Sequence, residues 1–308
     1  MTDSPSLGGV LPVLATPFAP DGQPDANGLR QIARYVIGAG ADGVVYPGVA
    51  SEYDMLTPDE RAELTAMVAD EARGRIALVV GGSAPDVETT EAVARQARSL
   101  GAAALMVMAP KSLVAADEVI AFFRRVAVAA DGVPIMLQNA PPPAGSGLPV
   151  DVVLAAARAV PQIAYIKEEA MPSGARITQT LAGAPATLKG VLGGAGGRYI
   201  TDELARGAIG TMPACELTEV HVALMRAHRA GDRARVRHFF NRTLPLLNFQ
   251  AVFRMAMTKE TLRRRGIIGD ARKRAPGPEL DAGDHRELDE MLAEVADLLH
   301  PPVKENHG

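Results

Sequence analysis

Short apolar runs alternate with longer amphipathic stretches along most of this chain. The apolar runs have the length of buried strands, and glycine or proline follows most of them, where a chain has to turn. They predict eight strands, at 10–15, 43–46, 76–80, 104–108, 134–138, 163–167, 187–191 and 208–212. The stretches between and after them have a helical period and predict helices at 26–39, 58–72, 86–99, 116–129, 150–159, 174–182, 197–206 and 216–230.

The regular alternation of strand and helix predicts parallel strands joined by helical crossovers. Eight such units in about 230 residues have the count and size of a closed (β/α)8 TIM barrel. A doubly wound open sheet is the alternative, but no Gly-x-Gly-x-x-Gly follows the first strand. Beyond residue 230 there are helical runs at 233–246, 250–264 and 285–299, with no clear strand between them. We therefore expect a catalytic barrel at 1–230 and a C-terminal helical extension at 231–308.

Composition narrows the possible function classes. The hydrophobic content of 47% provides ample core for a soluble globular protein, and the net charge of −4 gives no footprint for nucleic acid or an anionic membrane. The single cysteine excludes an intramolecular disulfide, and no apolar run approaches a membrane span, so a cytoplasmic location is predicted. The histidines lie in the last third of the chain without metal-ligand spacing, so we expect no metal and no cofactor.

One lysine stands out at the carboxyl ends of the predicted strands, where the function of such a barrel is concentrated. Only six of the 32 Lys and Arg residues are lysines, and Lys167 ends the apolar run of the sixth strand. A lysine held among apolar groups loses its proton more readily and can attack a ketone. Two other interpretations stay open. Lys167 could reach solvent and pair with Glu168 or Glu169, and Lys189 has a similar local setting.

The strand ends together resemble the dihydrodipicolinate synthase/N-acetylneuraminate lyase family of Schiff-base aldolases and lyases. Residues 13–18 are similar to the first strand of that family, and residues 48–52 (Gly-Val-Ala-Ser-Glu) fall where the family has Gly-x-Thr-Gly-Glu. Residues 166–168 resemble its Schiff-base lysine segment, and 207–210 lie at a family glycine position. The resemblance selects Lys167 over Lys189, and it implies a dimer or tetramer.

The chain also departs from the family pattern. The fifth strand of the family usually ends Tyr-Asn-x-Pro, and its tyrosine relays protons, whereas this chain has Gln138-Asn139-Ala140-Pro141. An arginine expected at 142–147 and a tyrosine pair expected at 109–112 are missing. These departures argue against dihydrodipicolinate synthase activity itself. A more specific resemblance is to the branch of the family that contains 2-keto-3-deoxy-L-arabonate dehydratase. It rests on residues 48–52, the glutamine near the end of the fifth strand, and residues 165–169, 210–213, 246–249 and 263–268.

The resemblance implies a reaction in which Lys167 attacks C2 of a small 2-oxo acid, and the resulting enamine expels a C4 hydroxyl as water. Small hydroxyl residues and glycines at the strand ends can offer hydroxyl and N–H groups to a substrate carboxylate. We expect Ser51, with Ala50 and nearby N–H groups, to bind that carboxylate. The other predicted substrate-binding residues are Asn139, Tyr165, Gly193 and Gly194.

Another group has to move protons in place of the missing tyrosine. The strand period places Tyr165, Lys167 and Glu169 on one face. We expect Glu169 to be the acid or base, with its pKa raised by burial; a simple ion pair with Lys167 is the alternative. Tyr165 could instead be a packed core aromatic, and Gln138 could orient a water or a substrate hydroxyl.

Two rival functions stay open at this point. A retro-aldolase acting on a 2-keto-3-deoxy or 4-hydroxy-2-oxo acid would share every step up to the enamine and would release pyruvate. A non-catalytic barrel that binds a keto acid would be consistent with the missing tyrosine and with the missing threonine at Ala50. The retained Lys167 argues against this second function.

Overall fold

The computed structural model describes residues 7–299. These residues form two compact units, one of 7–11 with 77–212 and the other of 12–76 with 213–299. The strands are β1 Gly9–Val10, β2 Gly43–Tyr46, β3 Ala77–Gly81, β4 Ala104–Val107, β5 Ile135–Asn139, β6 Ile163–Glu168, β7 Gly190–Gly193 and β8 Gly210–Thr211.

Each strand is followed by a helix. These helices are α1 Ala26–Gly38, α2 Pro58–Ala72, α3 Val87–Ser99, α4 Ala116–Ala130, α5 Val150–Ala159, α6 Ser173–Ala182, α7 Ile200–Ala205 and α8 Thr218–Arg229. In the first unit the strands are hydrogen-bonded in the order β1-β8-β7-β6-β5-β4-β3, and every neighbouring pair is parallel. The eightfold alternation and the parallel pairing confirm the predicted (β/α)8 barrel class.

Parallel strands covered on both faces are expected to be buried throughout. Seven of the strands follow this rule, because every residue of β1, β2, β4, β5, β6, β7 and β8 is buried. A charged or amide side chain on such a strand has lost its water and needs partners inside the protein. The polar side chains at the carboxyl ends of β5 and β6 are therefore the ones whose partners have to be identified.

The helices begin where local sequence signals place them. The Thr57 hydroxyl accepts from the Glu60 N–H at 3.2 Å, and the Glu60 carboxylate accepts from the Thr57 N–H at 2.9 Å. This reciprocal capping box, followed by Pro58, starts α2 at the predicted residue. Aspartates cap two more of these eight helices, Asp25 at α1 and Asp86 at α3.

The first predicted strand is wrong beyond Val10. Proline has no N–H to donate to a ladder, and the strand stops before Pro12. Further along, Val13 makes only isolated bridges, to Val45 and to Ala214. Of the six residues predicted as a strand, only Val10 therefore belongs to the regular strand.

Three more helices follow α8: α9 Arg233–Phe253, α10 Met255–Arg264 and α11 Ala282–Glu294. The predicted break between the first two helices lies at 247–249, but α9 continues through Pro245 to Phe253 and is followed by Arg254, whose φ is 49°. An apolar cluster joins these helices to the turn after β8 through Leu217, Leu246, Leu247, Met257, Leu288, Met291 and Val295. The domain boundary at residue 230 stays a prediction. Within residues 7–299, no helix is both long enough and apolar enough to cross a membrane.

Candidate active site

Lys167 lies near the carboxyl end of β6 and is buried, with 4% of its surface exposed. Its register partner on β5 is Gln138, which is 3% exposed. An amine in such a place is costly unless another group compensates its charge. The neighbouring side chains therefore determine what this lysine can do.

The compensating group is Glu169. One oxygen of its carboxylate, Oε1, is 3.2 Å from the Lys167 Nζ and accepts from the Ala195 N–H at 3.1 Å. The other oxygen, Oε2, accepts from the Gln138 amide at 2.6 Å. The predicted alignment of Lys167 and Glu169 is thus present, and the carboxylate is held by three donors from three different strand ends.

The charge state of Glu169 differs from the expectation. Burial raises the pKa of Glu169, but the Lys167 ammonium, the Gln138 amide and the Ala195 N–H together bring this pKa below its ordinary value. The predicted upward shift is therefore wrong. Glu169 is a carboxylate in the resting protein, so it is ready to accept a proton and can donate one only after it has taken one.

Gly193 and Gly194, predicted to leave room for the substrate, leave room for two carboxyl groups of the protein. A Cβ atom at Gly194 would lie 2.5 Å from the Glu169 Cγ and Oε1, and a Cβ atom at Gly193 would lie 1.9 Å from Oε2 of Glu203. No side chain fits at such distances unless the carboxyl groups move. Substrate contact at the two glycines stays a prediction.

Asn139 and Glu168, one residue along each strand, form a separate pair. The Asn139 amide donates to both Glu168 oxygens, at 3.1 and 3.2 Å, and to the Leu148 carbonyl at 3.0 Å. Glu168 also accepts from the Ala170 N–H at 2.9 Å and lies 3.2 Å from the Arg176 guanidinium. Since neighbouring strand residues point to opposite faces, Asn139 supports the strand end beside the Lys167–Glu169 pair rather than joining that pair. Substrate binding by Asn139 stays a prediction.

Tyr165 lies two residues before Lys167 on β6 and is 2% exposed. Its hydroxyl accepts from the Leu7 N–H at 3.2 Å, ahead of β1. The side chain therefore reaches toward the amino end of the first strand, one layer deeper than the lysine. This contact supports its interpretation as a packed core aromatic with a satisfied hydroxyl.

The structure separates the two candidate lysines. Lys189 is exposed and precedes β7, because the predicted strand at 187–191 begins only at Gly190. A turn closed by the Leu188 N–H and the Pro185 carbonyl, at 3.0 Å, occupies the preceding residues. Lys189 is therefore at the amino end of a strand and in water, whereas Lys167 is buried at a carboxyl end.

Ser51 and Ala50 belong to the second unit, in the short turn Val49–Ser51 after β2. The Ser51 hydroxyl donates to the Leu14 carbonyl at 2.5 Å and accepts from the Gly48 N–H at 2.9 Å. The hydroxyl proton of Ser51 is therefore already engaged in a hydrogen bond within the second unit. Binding of a substrate carboxylate by Ser51 stays a prediction and requires this hydroxyl to turn.

Sequence reasoning missed Glu203. This residue lies on α7 and is 1% exposed, and its Oε1 accepts from the Ser173 hydroxyl at 2.7 Å. The signal was present, because Glu203 shares the helix face of the apolar Ile200 and Leu204. An acidic residue at a buried position of an amphipathic helix is rare unless it has a partner, so such a residue is a candidate for a functional role.

A buried lysine paired with a carboxylate lies at the carboxyl ends of the strands of this (β/α)8 barrel, where the function of such barrels is concentrated. The chain belongs to the Dihydrodipicolinate synthetase family, which it matches over residues 6–295. It is therefore a lyase of that family.

Three relatives illustrate the range of this family. The chain is 28% identical to an L-2-keto-3-deoxyarabonate dehydratase of Azospirillum brasilense, over 98% of this chain and 97% of the relative. It is 29% identical to a 4-hydroxy-tetrahydrodipicolinate synthase of Symbiobacterium thermophilum, over 96% of this chain and the whole relative. The crystal structure of a dihydrodipicolinate synthase from Rhodopseudomonas palustris superimposes with a TM-score of 0.87 at 25% identity, covering 94% of this chain and 98% of that chain.

Proposed function

We propose that this chain is a Schiff-base lyase that removes water from a 2-keto-3-deoxy sugar acid, as 2-keto-3-deoxy-L-arabonate dehydratase does. The observation that carries the proposal is the contact of 3.2 Å between the amine of the buried Lys167 and the Glu169 carboxylate. Attack on a ketone requires a neutral amine, and an adjacent base provides one. The ligand is then a small 2-oxo acid, and no cofactor is needed.

The contacts of Glu169 give it a place in each proton transfer. Glu169 takes a proton from Lys167, and the neutral amine bonds to C2 of the keto acid. The adduct passes one proton from its nitrogen to its oxygen and takes a second from Glu169, so that this oxygen leaves as water and an iminium ion remains. Glu169 next removes a C3 proton, and the enamine expels the C4 hydroxyl as water with that same proton. Hydrolysis of the remaining iminium frees Lys167 and the dehydrated keto acid.

Gln138 favours dehydration over aldol chemistry. Its amide has no proton that titrates near neutral pH, and it donates to Glu169 Oε2 at 2.6 Å. It therefore orients the base and leaves the proton transfers to Glu169. An aldol step that depends on the tyrosine usual at this strand end would lack its relay, and the similarity to a dehydratase over 98% of this chain supports the same choice.

The direct test is to incubate the protein with pyruvate and borohydride and to map the adduct by mass spectrometry. We expect borohydride to reduce the iminium and leave a stable secondary amine on Lys167. Protein without borohydride is the control for non-covalent binding. An unmodified Lys167 after this treatment would remove the Schiff-base class and favour a barrel that only binds keto acids.

A panel of 2-keto-3-deoxy acids then identifies the reaction. A dehydratase gives a semialdehyde with no cleavage of a carbon–carbon bond, whereas pyruvate among the products would mark the retro-aldolase. Exchange of the pyruvate methyl protons in D2O, followed by NMR, reports the enamine alone and needs no knowledge of the natural substrate. A dimer or tetramer and a cytoplasmic location stay predictions, and light scattering of the purified chain measures the first of them.

Gly194→Ala is expected to lower the rate of this exchange by about a hundredfold, the effect of a misplacement of about 1 Å. The added Cβ would meet Glu169 at 2.5 Å and push the base away from Lys167. The φ of −146° at Gly194 is negative, so the alanine does not have to adopt a left-handed backbone. Gly38→Ala is the matched control, because a Cβ there has no neighbour within 4 Å. A normal exchange rate in the Gly194 variant would contradict the role of Glu169 as the base.

A further inference from the structure

Glu203 is a buried carboxyl group that none of the proposed steps uses. Its Oε1 accepts from the Ser173 hydroxyl at 2.7 Å, and its Oε2 has no hydrogen-bond partner among the described residues. A buried carboxylate with half of its oxygens unsatisfied is costly, whereas a neutral carboxyl group is far less so. The surroundings of Glu203 therefore favour its protonated form.

Glu203 lies against the carboxyl end of β7, which the side chain of Glu169 also contacts. Its Oε2 is 1.9 Å from the position of a Cβ at Gly193, and the Glu169 Cγ is 2.5 Å from the position of a Cβ at Gly194. The two carboxyl groups thus contact two consecutive residues of one backbone. The negative charge of Glu169 raises the pKa of Glu203, and water does not screen the two groups fully in this buried place.

The neighbouring negative charges all raise the pKa of Glu203. Burial raises the pKa of Glu203 to about 7; the Ser173 hydrogen bond opposes this rise, and the negative charges of Glu169, Asp202 and Glu168 add to it. Among the described residues each of these three carboxylates has a cation of its own, and Glu203 has none. The three cations are Lys167 for Glu169, Arg206 for Asp202 and Arg176 for Glu168.

On the basis of the proposed function, on which this inference rests, we infer that Glu203 is a positioning residue for the reaction at Lys167. By losing or keeping its own proton, Glu203 sets how strongly Glu169 holds the proton that it takes from substrate. Such coupling is reciprocal, because each negative charge makes the other carboxyl group a stronger base. Ionised Glu203 therefore speeds removal of the C3 proton, and neutral Glu203 does not.

The sign of the pH dependence follows from this coupling. Below its pKa Glu203 is neutral, and Glu169 is influenced mainly by Lys167. As pH rises through about 7, Glu203 ionises and the basicity of Glu169 increases. Glu203→Gln keeps the size and the hydrogen-bonding capacity of the side chain but removes the charge, so this rise is absent.

The test is exchange of the pyruvate methyl protons in D2O as a function of pH, for the unmodified protein and for Glu203→Gln. The ratio of the two rates should lie within about twofold at about pH 6 and reach about three- to tenfold at about pH 8.5, the effect of coupling of about one pK unit. Ser173→Ala removes the hydrogen bond that lowers the pKa of Glu203, so the midpoint of the rise should move to higher pH.

A ratio that stays constant with pH would overturn the inference, since a purely structural loss acts equally at every pH. If Glu203→Gln fails to fold, the Ser173 variant decides, and an unmoved midpoint there overturns the inference as well. A borohydride adduct on Lys167 without any exchange does the same, because Glu203 acts only through the base. Failure of the proposed function looks different: no adduct forms in the unmodified protein.

Discussion

Replacing Lys167 with methionine is expected to abolish the borohydride adduct and to lower the rate of pyruvate proton exchange by at least about four orders of magnitude. Methionine has nearly the same length, so it fills the buried space at the end of β6. It has no nitrogen to bond to C2, and without an iminium ion nothing acidifies C3. Mass spectrometry and NMR exchange measure the two effects separately.

Two further variants sharpen this result. Lys189→Met removes the exposed lysine at the start of β7 and should retain the normal rate, since that amine lies at the other end of the strand. Lys167→Arg retains a cation beside Glu169 but provides no nucleophile near neutral pH. An active Lys167→Met protein, or an adduct that moves to Lys189, would place the chemistry elsewhere.

Replacing Lys259 with methionine is expected to lower the free energy of unfolding by about 3–5 kcal/mol, the usual effect of breaking a buried ion pair from one side. Lys259 on α10 is fully buried against the Glu52 carboxylate, donates to the Arg272 carbonyl at 2.8 Å and lies 4.2 Å from the centre of the Phe18 ring. Burial lowers the pKa of Lys259 to about 8 in spite of Glu52, so the amine is still charged near neutral pH. The methionine variant leaves Glu52 buried without its cation.

Urea denaturation of matched variants tests the origin of this loss. Adding Glu52→Gln to Lys259→Met should recover most of the stability, because the amide oxygen can still accept from the Arg274 and Ala275 N–H groups while the unpaired charge is gone. Arg229→Met breaks the more exposed contact with Asp42 and should cost less than about 1 kcal/mol. Equal losses in the Arg229 and Lys259 variants would contradict the special status of the buried pair.

The sequence predicts the barrel well because its signals are local. The strand containing Lys167 is a continuous apolar run, and Thr57 and Glu60 mark the start of α2 within four residues of chain. Lys167 itself is prominent because a cation ends that run. Such features need no knowledge of distant residues.

What the sequence could not provide depends on groups brought together from far along the chain. The pKa of Glu169 falls because Lys167, Gln138 and Ala195 converge on it, and a pattern within one strand carries no sign of that balance. The sequence predicts that Gly193 and Gly194 leave space for substrate, whereas Glu169 and Glu203 from α7 lie against these two glycines. Burial of Lys259 has the same origin, because its partner Glu52 lies about two hundred residues away in sequence.

The Glu52–Lys259 pair also bears on how this protein can be divided. Glu52 belongs to the turn after β2, and the cation and N–H groups that its carboxylate contacts come from α10 and from residues 274 and 275. A fragment cut after α8 would carry a buried anion whose partners are on the discarded piece. Such a fragment should recover its fold only when the missing helices are added back as a second chain. The C-terminal helices are therefore an integral part of the unit that contains the turn after β2.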